Sequence, residues 1–124
     1  MSNIGEIAVY MTHFRDQLKF YHWATKDYAR HIASDTLVLN ITTNLDTIIE
    51  TLQGSENKRL ILPSNKLSFS IENDASMVNE LKRFRDWLIN KFPKLIKTNN
   101  TDLLNIRDTI LSDVNKTLYL FTLK

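Results

Sequence analysis

Residues Tyr21–Gly54 read YHWATKDYARHIASDTLVLNITTNLDTIIETLQG, and the rest of the chain is organised around them. The polar break Thr25-Lys26-Asp27 ends one helical pattern and opens another, with Asp27 as a side-chain N-cap. Beyond it, Tyr28, Ile32, Val38, Ile41, Leu45, Ile48, Ile49 and Leu52 recur at helical spacing, so a helix is expected over about 28–53 with these residues inward. Gly54 suits the position just past a helix end. Upstream, Ile4, Ile7, Met11, Phe14, Leu18 and Tyr21 step by three and four, which predicts a first helix over about 3–24. Trp23, at its end, is expected in the core. Two long helices joined by a tight turn make half of a helical bundle.

Downstream the pattern changes. Leu60-Ile61-Leu62 stops at Pro63, and Leu67, Phe69 and Ile71 alternate with period two. A lone strand has no partner, so this stretch reads as an extended crossover that lays those three side chains on the bundle. Asn73 or Asp74 then caps a third helix over about 74–92, with Met77, Leu81, Phe84, Leu88 and Phe92 on one stripe, and Pro93 ends or kinks it. Asn99-Asn100 turns the chain into a fourth helix over about 101–122, with Leu103, Ile106, Ile110, Val114, Leu118 and Phe121 inward. Four helices with two short turns and one long extended crossover between the second and third give an all-α, ferritin-like up-down-down-up bundle, a single domain over 1–124.

Composition agrees. Two glycines and two prolines in 124 residues are too few for a turn-rich β fold. With no cysteine, no disulfide and no thiolate metal site can form. No basic leader with a long apolar run opens the chain and no apolar stretch reaches the ~18 residues a membrane helix needs, so a soluble cytoplasmic protein is expected. The net charge of +2 is unevenly spread: residues 1–57 carry four Lys/Arg against seven Asp/Glu, and residues 58–124 carry twelve against seven. The basic third helix (Lys82, Arg83, Arg85, Lys91) lacks a groove-reading motif and reads as a solvated face, so nucleic acid is not an expected partner.

The chemistry-bearing residues are His22, His31, Asp46 and Glu50. Imidazole and carboxylate together suit a divalent transition metal. Asp46 and Glu50, four apart, lie on one helix face. His31 precedes Asp46 by fifteen positions, about 60° away around the helix, with Asp35 and Thr42 along the same stripe. His13, beside Phe14, reads as a half-buried helix residue rather than a ligand. Nucleophilic catalysis has no support, for there is no cysteine, no Gly-x-Ser-x-Gly and no glycine-rich phosphate loop.

The set His22-Trp23, His31, Asp46-x-x-x-Glu50 and Leu52-Gln53-Gly54 resembles the miniferritins (Dps-like proteins), and Asp35 falls where that family often keeps a carboxylate. The resemblance implies a ferrous-iron site at a twofold subunit interface, with His22 and His31 from one copy and Asp46 and Glu50 from its neighbour. It implies a homo-oligomer and a possible ferroxidase activity, in which oxygen or peroxide oxidises iron. The chain departs from that family in a shorter His22–His31 interval, an extended crossover and an N-terminal arm without Lys or Arg through residue 14. The whole chain also looks like a small uncharacterised ferritin-like family of large DNA viruses and phages. That second likeness implies the alternative function, a non-enzymatic structural or interaction bundle without metal activity.

Overall fold

The computed structural model describes residues 3–64 and 66–123. Positions 1, 2, 65 and 124, included in the expected single domain, lie outside the described residues. Among the described residues there are four α-helices and no strand: α1 (Ile4–Ala24), α2 (Tyr28–Glu56), α3 (Asp74–Asn90) and α4 (Thr101–Leu120), with one 3₁₀ turn at Phe92–Leu95. The chain is thus an all-α helical bundle. None of the described helices is long and apolar enough to cross a membrane.

Local sequence explains the helix ends. Asp27 accepts a hydrogen bond from the Arg30 amide at 3.1 Å and caps α2. Asn73 caps α3 through a reciprocal box in which its side chain accepts from the Ser76 amide and its own amide donates to the Ser76 hydroxyl. Pro93 cannot extend an α-helix, so α3 stops at Asn90 and the chain tightens into the 3₁₀ turn. Gly54 does not end α2. The helix runs through it to Glu56, and Asn57 takes the left-handed cap at φ 51°, with its amide bonded to the Gln53 carbonyl. Asparagine tolerates that conformation, so the capping role moves one turn on.

The expected stripes of α1 and α3 are fully inward, and Phe14 stacks on Phe84 with ring centroids 4.0 Å apart. In α2, Val38, Ile41, Leu45, Ile48 and Leu52 are buried. Tyr28 and Ile32, expected inward, are 77% and 48% exposed. The correction follows from phase: at 100° per residue they share an outer stripe with Leu39, Asp46 and Glu50, away from Ala33, Leu37 and Ile41. Trp23 is also outside rather than in the core, 65% exposed with the Lys19 ammonium 5.5 Å from its ring.

Helix α1 packs on α2 and α3, and α4 on α2 and α3. Tyr21, late in α1, donates to Asp74 at the start of α3 (2.6 Å), while Asn3 donates to Leu95 just beyond the end of α3 (3.2 Å). Arg30, early in α2, donates to the Phe121 carbonyl at the end of α4 (3.1 Å). Residues 58–64 and 66–73 lie across α1, and Leu67, Phe69 and Ile71 are 44–67% exposed rather than sealed onto the bundle. Phe69 does meet His13 and Phe20 of α1.

Candidate metal centre

The corner between α1 and α2 brings His22 and His31 face to face. Their rings stack with centroids 3.9 Å apart and an interplanar angle of 16°. The Nδ1 of His22 lies 2.6 Å from the His31 carbonyl oxygen, and the Nδ1 of His31 lies 2.8 Å from the His22 carbonyl oxygen. A carbonyl only accepts, so both Nδ1 atoms carry a proton, and Nε2 is the ring nitrogen these contacts leave uncommitted. Ser34 reinforces the clasp: its hydroxyl donates to the His31 carbonyl at 3.1 Å and lies 3.3 Å from the His22 Nδ1. His22 is buried and His31 partly so.

Asp35 is the carboxylate of this corner. Its Oδ1 is 3.9 Å from the His22 Nε2 and 2.9 Å from the Lys19 ammonium. The Lys19 hydrogen bond holds its carboxyl below the ordinary carboxylate range, aided by the positive field of Lys19 and of the two imidazoles. Asp35 therefore stays ionised beside the histidines.

Asp46 and Glu50 lie elsewhere on α2. Both are exposed, and neither makes a hydrogen bond or ion pair among the described residues. Fifteen residues of helix separate Asp46 from His31, about 22 Å of rise, so one chain cannot bring them to one ion. Among the described residues no three His, Asp or Glu side chains are grouped to hold a metal. The sequence pattern thus resolves into two half-sets: His22 of α1 with His31 and Asp35 near the start of α2, and a carboxylate pair further along α2.

Two features of the corner were not read from the sequence. Ser34 lies three residues after His31, a spacing that lets a helical serine reach that carbonyl, so its signal was present. Lys19 on α1 has no such signal, because its contact with Asp35 depends on how α1 and α2 pack. His13 is half-buried as expected, and its Nε2 is committed to the Ser68 carbonyl at 2.7 Å.

Residues 22–121 match the model of a family of unknown function, DUF5856. The chain belongs to that family. No curated protein and no solved structure matches the chain. The DUF5856 span contains both half-sets, His22, His31 and Asp35 as well as Asp46 and Glu50.

Proposed function

We propose that the protein is a ferritin-like bundle, with helices running up-down-down-up, that takes ferrous iron as its substrate between two copies of the chain. The end contacts support this topology: α1 and α3 run oppositely, as do α2 and α4. One observation carries the metal reading. Both imidazoles donate Nδ1–H to a backbone carbonyl, which is the support that fixes tautomer and ring orientation in metal-binding histidines and leaves Nε2 as the donor atom.

The carboxylates come from the second copy. If two α2 helices cross antiparallel about an axis near Leu39, position n faces position 78 minus n. Ile32 then lies opposite Asp46, Tyr28 opposite Glu50, and the histidine corner of each copy meets the carboxylate pair of the other. The exposed Tyr28, Ile32 and Leu39 supply the apolar part of that contact. Hard carboxylates and borderline imidazoles together suit Fe(II), and the same donors accept Mn(II) or Zn(II). Oxidation sends the electron from each Fe(II) to oxygen or peroxide, while the protein contributes ligand geometry.

The test is anaerobic Fe(II) calorimetry on wild type, on His22→Ala/His31→Ala and on Asp46→Ala/Glu50→Ala. Wild type should bind about one or two ions per subunit, and each double variant should lose that binding. Co-refolding the two variants in equal amounts should restore roughly a quarter of the sites, since about half of the dimers are then mixed and each mixed dimer regains one of its two sites. No saturable binding by the wild type sinks the reading.

The reciprocal clasp favours a second reading, because its two hydrogen bonds themselves tie α1 to α2 at the corner. In that reading the chain is a non-enzymatic structural or interaction bundle. His22→Ala would then lower thermal stability while the wild type, titrated alongside it, bound no metal.

A further inference from the structure

Residues 66–72 read Lys-Leu-Ser-Phe-Ser-Ile-Glu. The pattern is symmetric about Phe69: serine on either side, an aliphatic residue beyond each serine, then opposite charges at the two ends. Side chains of α1 hold alternate residues of this segment. His13 donates from Nε2 to the Ser68 carbonyl at 2.7 Å. Gln17 accepts from the Ser70 amide at 3.3 Å and donates from its own amide to the Ser70 carbonyl. Four residues of helix rise about 6 Å and two residues of strand span about 6.7 Å, so this i, i+4 pair fits an extended chain.

In an extended chain the backbone groups of successive residues point to opposite sides. With Ser68 and Ser70 turned to α1, the amides and carbonyls of Leu67, Phe69 and Ile71 face away from it. None of these six groups has a hydrogen-bond partner among the described residues, and all three side chains are 44–67% exposed. This is an open edge of extended chain, the kind of backbone that folded proteins ordinarily cover or blunt when it belongs to a strand.

We propose that this edge pairs antiparallel with the same segment of a second copy, about a twofold axis at Phe69. Leu67 then faces Ile71 of the partner subunit and Phe69 faces its own counterpart. Each of these opposed pairs is a hydrogen-bonded pair, which satisfies all six free groups. Ser68 faces the partner's Ser70, and Lys66 faces the partner's Glu72 at both ends. Charge complementarity selects the occupant. Among the described residues Lys66 has no ion pair and Glu72 accepts only from the Ser70 hydroxyl, at 3.0 Å. A parallel self-pairing in register would instead set Lys66 against Lys66. This contact does not depend on the metal reading and uses none of its residues.

The test combines sedimentation equilibrium with amide hydrogen exchange, in chelator so that metal plays no part. Wild type should self-associate. Lys66→Glu and Glu72→Lys should each weaken association roughly tenfold or more, because each turns two attractive cross-strand pairs repulsive. The double reversal should restore it. On raising the concentration through the association range, the amides of Leu67, Phe69 and Ile71 should slow about tenfold. Ser68, whose amide points to α1, is the internal control and should not change. A monomeric wild type, association indifferent to either reversal, a double reversal that fails to rescue, or unchanged exchange at Phe69 would each overturn the proposal.

Discussion

Removing the Arg30 guanidinium should loosen four helix ends together. One Nη1 donates to the Asp74 carbonyl at 2.8 Å and to the Tyr21 hydroxyl at 3.3 Å, and Nη2 donates to the Phe121 carbonyl at 3.1 Å. The guanidinium carbon also sits 4.7 Å from the centre of the Phe121 ring. The start of α2 is thereby joined to the end of α1, the start of α3 and the end of α4. The Arg30–Asp74 ion pair, at 4.0 Å with Asp74 55% exposed, adds little. Two charge-assisted bonds to carbonyls contribute about 1 kcal/mol each at this partly covered site, and the ring contact about 0.5–1 kcal/mol. Arg30→Ala should therefore destabilise by about 2–3 kcal/mol, a fall of roughly 8–15 °C in Tm for a chain of this size. Arg30→Lys keeps the charge but not the fork, and should lose about half as much. Urea unfolding followed by circular dichroism gives both values against Lys58→Ala, an exposed control. If Arg30→Ala cost no more than the control, or Arg30→Lys as much as Arg30→Ala, the account of Arg30 as a multidentate tie would be refuted.

The two glycines should respond oppositely to alanine. A Cβ on Gly54 meets nothing within 4 Å, so Gly54→Ala should stabilise α2 by about 0.5–1 kcal/mol in the same unfolding assay. A Cβ on Gly5 would overlap the Ile61 carbonyl oxygen and lie 3.1 Å from its carbon, so Gly5→Ala should forfeit that gain and lose about 1–2 kcal/mol as the chain around Ile61 is displaced. Asp35, held below its ordinary range by Lys19, contributes stability that is present above the unfolded carboxylate range and disappears as pH falls through its lowered folded value. Thermal melts at stepped pH should show Asp35→Asn to be less stable than wild type at neutral pH, with the gap closing in acid; a gap independent of pH would refute this.

The helices were legible because α1 and α3 each bury one narrow stripe, and period alone locates it. The outer face of α2 was harder. It carries Tyr28, Ile32 and Leu39, apolar residues that read as core until the phase is fixed by Ala33, Leu37 and Ile41. Gly54 misled for a related reason, since a glycine marks a helix end only when the chain needs its conformational freedom there, and Asn57 supplies the left-handed residue instead. The imidazole pair was visible as composition but not as geometry. Nothing in the letters shows that His22 and His31 bond each other's carbonyls, because that depends on the angle of the α1–α2 corner. The separation of Asp46 from His31, by contrast, was fixed once α2 was known to be continuous. Arg30 gave no sequence signal, for it reads as an ordinary first-turn cation until four helix ends converge on it.

The two tryptophans stand in opposite surroundings. Trp87 is stacked on Tyr10, with ring centroids 4.2 Å apart, and packs edge-on against Phe92, whereas Trp23 follows directly on His22 and faces solvent. Their emission should consequently separate by colour, the sheltered indole bluer and the wet one redder. An open-shell ion held by the histidine corner would darken the red component and leave the blue one bright. Unfolding would instead shift the blue component towards the red. The protein thus carries two built-in optical channels, one reporting on the corner and one on the core, and occupancy can be followed apart from stability in an unlabelled sample.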